Sequence, residues 1–363
     1  MKIAGVEVVP YALPFREPYV TARGTLTERE MVLLRLRNED GLTGLGEAVP
    51  LSLRRGATLA TVVSELQALA ERDGLDEGTL RDDAAGLSAP ARCAALTALL
   101  DLRGKIGGAA SEQPNAPTEG TPAIDEQAVE CNATLVAGEP AAVAADAERW
   151  AADGFTTFKL KLGAGDDVGQ ARAVRDAVGD AARIRIDANA AWDTQAAIRV
   201  LSEIEPIGIE LVEQPAAALA DLAAIGAATS IPIAGDESIE SRDEAEKAVR
   251  AGACDIAATK LSKVGGPEEA IEIAAVMPSY ISSALDGPVG IAVAAQTAQT
   301  LDGAAPAGAP KFAHGLATQR LFASTIASVE CELREGMLHL PDGPGLGVEI
   351  DEDALLAHRL DAR

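Results

Sequence analysis

The stretch TFKLKLG, residues 157–163, decides the fold. Successive side chains of a β-strand point to opposite faces, so Lys159 and Lys161 share one face while Phe158, Leu160 and Leu162 occupy the other. Taken alone, the pattern describes either a solvated sheet face or an edge strand whose lysines discourage aggregation. Similar runs recur beyond residue 130, separated by alanine-rich helical stretches. CNATLVAG, RIRIDANA, IELVEQP, IPIAGDES, CDIAATKLS, SYISSAL and KFAHGL join TFKLKLG to give eight candidate strands. Lys161, Asp187, Glu213, Asp236 and Lys260 follow one another at intervals of 23 to 26 residues. One strand, one helix and two loops need about that length, so the series counts off the units of an α/β fold closed as a TIM-type (β/α) barrel. An open doubly wound sheet is the competing architecture, but GLGEAVP lacks a third glycine and opens no helix, so it is no dinucleotide fingerprint. LGAGDDVG likewise lacks the Gly-Lys-Ser/Thr ending of a phosphate loop.

In such a barrel, chemistry sits at the C-terminal strand ends, where this chain places its charged residues. Lys159 and Lys161 fall on the second strand, Asp187 on the third, Glu213 on the fourth, Asp236 and Glu237 on the fifth, and Lys260 with Lys263 on the sixth. Carboxylates gathered in a confined mouth repel unless a cation binds them. Oxygen donors with no His or Cys nearby suit Mg²⁺, or Mn²⁺, and Asp187, Glu213 and Asp236 are the candidate ligands. Each of the three also reads singly as a strand-end cap or a lysine partner. Glu237 reads equally as an acid at a helix start. Lysines on both sides of a metal suggest removal of a proton next to a carboxylate, with Lys161 as the base, Lys159 beside it and Lys260 facing it. The Lys159 charge and partial burial predict a Lys161 pKa below the ordinary lysine value.

Residues 1–110 form a separate α+β unit. KIAGVEVVPYAL and EMVLLRLRN alternate as strands, Asp40–Gly41 signals a turn, and residues 57–107 turn helical. A Gly/Pro-rich polar linker is expected over 111–126, the barrel over 127–325, and a C-terminal segment over 326–363. The net charge of −25 excludes nucleic acid and anionic membranes as partners, because the long-range field has the wrong sign. Acidic residues spread along the whole chain suggest a surface kept soluble in concentrated salt, as in a halophile. Cys93, Cys131, Cys254 and Cys331 form no C-x-x-C pair and read as buried free thiols. No signal peptide and no membrane span is recognised, so a cytoplasmic protein is expected, with homo-oligomerisation left open.

TFKLKLG, RIDANAAW, LVEQP, AGDES and TKLSKVGG together resemble the enolase superfamily, and within it the muconate-lactonizing subgroup. The resemblance implies a modified, enolase-like barrel under an N-terminal capping domain, to which the C-terminal segment returns. It implies Mg²⁺ on Asp187, Glu213 and Asp236, Lys161 and Lys260 as the acid/base pair, and a loop near 15–30 folding over the mouth to select a small carboxylate substrate. YISSALDGPVGIAVAAQTAQTL, FAHGLATQRLFA and TARGTLTERE look like the o-succinylbenzoate synthases of menaquinone biosynthesis. That likeness implies a hydro-lyase carrying out syn dehydration of 2-succinyl-6-hydroxy-2,4-cyclohexadiene-1-carboxylate through an enediolate, Lys161 acting twice and Lys260 staying protonated. Dipeptide epimerases, N-acylamino-acid racemases and cycloisomerases of the subgroup fit the same first half-reaction. Gly287–Pro288 depart from the small hydroxyl residues expected there. Ser282, Ser283 and Arg23 are candidate substrate contacts, as are Arg16 and Arg29, while His314 reads as a packing residue.

Overall fold

The computed structural model of this chain describes all residues except 22–23, 53–55, 108–127, 164, 306–309 and 361–363. The expected linker over 111–126 lies outside the described residues, as does Arg23. Seven parallel strands hydrogen-bond in chain order: β5 (Ala133–Leu135), β6 (Thr157–Lys161), β7 (Arg183–Asp187), β8 (Ile209–Glu213), β9 (Ile233–Gly235), β10 (Ile256–Thr259) and β11 (Ser279–Ile281). The eighth run, KFAHGL, is shorter than expected and contributes only two parallel bridges. His314 pairs with Cys131 and Gly315 with Ser282, which closes the ring between β5 and β11. Nearby Pro310 has no N–H to give to a ladder, which limits how far this run extends as a strand.

Alternation along the strands makes the barrel interior. Arg185, Leu211, Ala234, Ala258 and Tyr280 are buried inside, each two residues before Asp187, Glu213, Asp236, Lys260 and Ser282 respectively. The inner residues form a floor, and the residues two further on form the site above it. Phe158, Leu160, Ile184 and Ile186 point the other way and join Val143, Val174 and Leu201 in the main core. The surrounding helices include α4 (Pro140–Ala152), α5 (Asp167–Val178), α6 (Thr194–Ile204) and α11 (Pro288–Ala304).

The N-terminal domain is an antiparallel sheet of β1 (Ile3–Thr21), β2 (Gly24–Asn38) and β3 (Thr43–Ala48), covered by α1 (Leu59–Ala70), α2 (Glu77–Ala84) and α3 (Ala89–Gly107). At the Asp40–Gly41 turn, Gly41 takes a φ of +85° and Asn38 Oδ1 accepts the Leu42 N–H at 2.9 Å. α3 lies so close on β3 that a Cβ at Gly46 would fall 2.0 Å from the Ala94 carbonyl oxygen. The segment expected as a loop near 15–30 is instead the far end of the β1–β2 hairpin, with Tyr19 opposite Leu26. Cross-strand pairing breaks register after Pro14 and resumes at Tyr19, and between them Phe15 bridges to Phe322 and stacks on its ring at 5.0 Å. The C-terminal segment lies along β1, where the Leu360 N–H meets the Pro10 carbonyl at 2.9 Å.

The two domains meet at Glu47. Its carboxyl accepts the Gly287 N–H at 2.7 Å and the Tyr11 hydroxyl at 2.8 Å, at the N-terminus of α11. A Cβ at Gly287 would stand 2.5 Å from the Tyr11 oxygen and 2.7 Å from Glu47 Oε2, so no hydroxyl side chain fits. That contact explains the departure at Gly287 noted in the sequence. The four cysteines are free and buried. Among the described residues no helix is long and apolar enough to cross a membrane.

Candidate active site

Register places the charged strand ends side by side, since Lys161 pairs with Asp187 and Asp187 with Glu213. Lys159 Nζ donates to Glu213 Oε2 at 2.5 Å and lies 2.8 Å from Asp187 Oδ2. Lys161 Nζ donates to the same Asp187 oxygen at 2.5 Å and to Asn189 Oδ1 at 2.8 Å. Across the mouth, Lys260 donates to Asp236 Oδ2 and stands 3.9 Å from Glu213 Oε1. Lys263, on the short helix α9 (Leu261–Val264), holds both the carbonyl and Oδ1 of Asp236. Asp187, Glu213 and Asp236 have no exposed surface. Such buried charges persist only because each faces an ammonium group.

Burial would raise the Asp187 carboxyl, but Lys159, Lys161 and Lys260 outweigh it and hold it well below the usual carboxylate range. The expected lowering of Lys161 is not found. Burial and the Lys159 ammonium do push it down, but the Asp187 carboxylate outweighs them, and Lys161 stands above the ordinary lysine value. Sequence reasoning weighed the lysine neighbour and missed that Asp187 Oδ2 would sit against Nζ.

Lys159, Lys161 and Lys260 reach one cavity, shared with Tyr19, Arg29 and Ser282. Glu237 lines it too, from a turn; the next helix, α8 (Arg242–Arg250), starts five residues later, so Glu237 is not a helix-start acid. Ser282 and Ser283 both line the cavity, and Ser283 Oγ in addition donates to Asp286 at 2.7 Å and accepts the Asp286 and Leu285 N–H groups, building a turn. Arg29 donates through Nη2 to the carbonyls of Pro50 and Ala284, both at 2.9 Å, and so bridges the two domains beside the cavity. Arg16 is exposed and bonds the Arg320 carbonyl instead. His314 is buried at the closing bridge, with Nδ1 accepting the Ile281 N–H at 3.0 Å and Nε2 lying 3.4 Å from Asp302 Oδ2.

Three further residues belong to the site. Asn189 holds Lys161, Tyr280 donates its hydroxyl to Glu213 Oε2, and Gln214 accepts the Asp236 N–H at 2.9 Å. Tyr280 was readable from period two, being two residues before Ser282. Gln214 was not, because its φ of +42° turns it out of the strand alternation. Among the described residues no three His, Cys, Asp or Glu side chains close on a common ion position, since lysine ammoniums stand between the acids. The donor chemistry nonetheless fits a hard divalent cation. It offers carboxylate oxygens alone, and Glu213 Oε1 is buried without a hydrogen-bond partner.

Residues 142–354 match the family described as enolase C-terminal domain-like, and residues 3–111 match the mandelate racemase / muconate lactonizing enzyme N-terminal domain. Muconate cycloisomerase 1 of Pseudomonas putida is 30% identical over 375 residues, covering 96% of each chain. The o-succinylbenzoate synthase of Thermobifida fusca is 33% identical over 251 residues, covering 67% of this chain and 74% of that one. The solved dipeptide epimerase of Cytophaga hutchinsonii, complexed with Mg and D-Ala-L-Val, matches with a TM-score of 0.86 at 26% identity over 98% of each chain. With both domains matched and the charged strand ends in register, this chain is an enzyme of the enolase superfamily, in its muconate-lactonizing subgroup.

Proposed function

We propose that the protein is a Mg²⁺-dependent o-succinylbenzoate synthase, dehydrating 2-succinyl-6-hydroxy-2,4-cyclohexadiene-1-carboxylate. The observation that carries proton removal next to a carboxylate is that Lys161 and Lys260 border one cavity, with Asp187 held by the first and Asp236 by the second. The choice of dehydration rests on the 33% identity to the Thermobifida fusca o-succinylbenzoate synthase. Asp187, Glu213 and Asp236 would hold the ion. Mg²⁺ bound there supplies positive charge that acidifies the carbon next to the substrate carboxylate.

Lys161 must be neutral to act as a base. While its ammonium bonds Asp187 it keeps its proton; once the charge of Asp187 is engaged elsewhere, burial and the Lys159 ammonium are opposed only by the smaller pulls of Tyr19 and Glu213 and favour the neutral amine. Lys161 Nζ then takes the α-proton, and the C–H electron pair moves into the substrate carboxylate to give an enediolate. Lys260, protonated and held by Asp236, faces that negative charge. The pair returns to form the ring double bond as the C–O bond breaks, and Lys161 gives its proton to the departing hydroxyl, which leaves as water. One base on one face makes the elimination syn.

A dipeptide epimerase, N-acylamino-acid racemase or cycloisomerase is the second reading. It is favoured by the 96% and 98% coverage of the cycloisomerase and epimerase relatives, and by both lysines lining the cavity, since a racemase needs a second base. Parallel assays decide between them. The proposal expects loss of the cyclohexadiene absorbance to be the faster reaction by kcat/KM; preferential α-deuterium exchange or epimerisation of dipeptides or N-acylamino acids in D₂O overturns it.

A further inference from the structure

We propose that the Tyr280 hydroxyl is a positioning group that makes Glu213 a one-oxygen ligand and thereby biases the site toward Mg²⁺ over Ca²⁺. The inference rests on the reading of Glu213 as a metal ligand and goes beyond it to the ion's identity.

The two oxygens of Glu213 are treated unequally. Oε2 accepts both the Tyr280 hydroxyl and the Lys159 ammonium, the latter at 2.5 Å. Oε1 has no hydrogen-bond partner and lies 3.9 Å from Lys260 Nζ. A carboxylate with one oxygen occupied by two donors can chelate through both oxygens only by giving those donors up. The hydroxyl that enforces this is itself rigidly placed. Tyr280 is fully buried in the barrel floor, and the Arg185 guanidinium stands 4.9 Å from its ring centroid. Arg185 is fixed in turn by the Ala313 carbonyl at 2.6 Å and by Glu210. The Phe312 ring borders Tyr280 at 6.2 Å between centroids. Mg²⁺ is small and takes single carboxylate oxygens in an octahedron, whereas Ca²⁺ accepts a looser shell and readily takes both oxygens of one carboxylate. Holding Oε2 away therefore penalises the larger ion selectively.

Calorimetric titration of the full chain with Mg²⁺ and separately with Ca²⁺ tests this on the wild type, Tyr280→Phe and Glu213→Gln. Tyr280→Phe keeps the ring over Arg185 and removes only the oxygen. Its Mg²⁺ affinity is expected to fall by about 10- to 100-fold, the usual effect of losing a partner behind a metal ligand. Its Ca²⁺ affinity should fall much less, narrowing the preference. Equal losses for both ions, as a general loosening of the barrel would give, or no loss for either, overturn the inference. Glu213→Gln separates the levels. Unchanged Mg²⁺ binding in that variant removes the metal-site reading and this inference with it. Lost binding there, with an unchanged ion preference in Tyr280→Phe, removes this inference alone. A crystal of the wild type with Mg²⁺ is the second measurement, independent of any variant's folding. Glu213 coordinating through Oε1 with Oε2 still on Tyr280 supports the proposal, and a bidentate Glu213 refutes it.

Discussion

Glu47→Gln keeps the shape of the buried acid between the N-terminal domain and the barrel while removing its titration. Burial, and then the Asp286 carboxylate, push Glu47 from 4.5 up to about 8, against the lowering effect of the Tyr11 hydroxyl and the Gly287 and Gly290 N–H groups. The folded chain therefore keeps this proton until near pH 8, while the unfolded chain releases it near 4.5. Between those values the folded state binds more protons, so stability is lost as pH rises, by about 1.4 kcal/mol per pH unit. The whole contribution is about 5 kcal/mol, present below the unfolded value and gone above the folded one. Urea unfolding followed by circular dichroism at about pH 5 and about pH 8.5 measures it, because other titrating groups cancel between wild type and variant. The wild type should lose several kcal/mol more than Glu47→Gln over that interval. Parallel pH dependence in the two proteins would refute the reasoning.

Gly290→Ala should destabilise the same junction by about 1–3 kcal/mol, because the new Cβ would stand 2.6 Å from Glu47 Oε1 and 2.8 Å from Asp286 Cβ. An unmoved urea midpoint would contradict that crowding. With a net charge of −25, the folded chain should gain stability between about 0.1 M and about 1 M KCl as the Debye length falls from roughly 10 Å to roughly 3 Å. A midpoint that stays level or drops over that range would count against a surface adapted to concentrated salt.

What the sequence disclosed followed from two periods. The strand period of two put Lys159 and Lys161 on one face, and the interval of 23 to 26 residues put their partners on neighbouring strand ends. Both are properties of backbone geometry, which the structure shares. Contacts set by side-chain reach were not legible. Lys159 meets Glu213, 54 residues away, as well as Asp187, and this double contact forms only once three strands lie in register. Asp187 is the strongest influence keeping the proton on Lys161, and no spacing reveals that its Oδ2 lies against Nζ. Nothing in the spacing of RIRIDANA shows that Arg185 fills the barrel floor under Tyr280. Gly287 looked like a departure because its reason, Tyr11 and Glu47, lies in the other domain.

The most direct test of the lysine pair follows turnover of the cyclohexadiene carboxylate with Mg²⁺ present in wild type, Lys161→Arg and Lys260→Arg. An arginine keeps the charge but does not deprotonate near neutral pH. The account predicts that Lys161→Arg loses dehydration by more than about 10³-fold while still binding Mg²⁺, because no base remains to take the α-proton. It predicts that Lys260→Arg keeps a larger residue of activity, since only a positive charge is needed there. Dehydration surviving in Lys161→Arg would contradict the account.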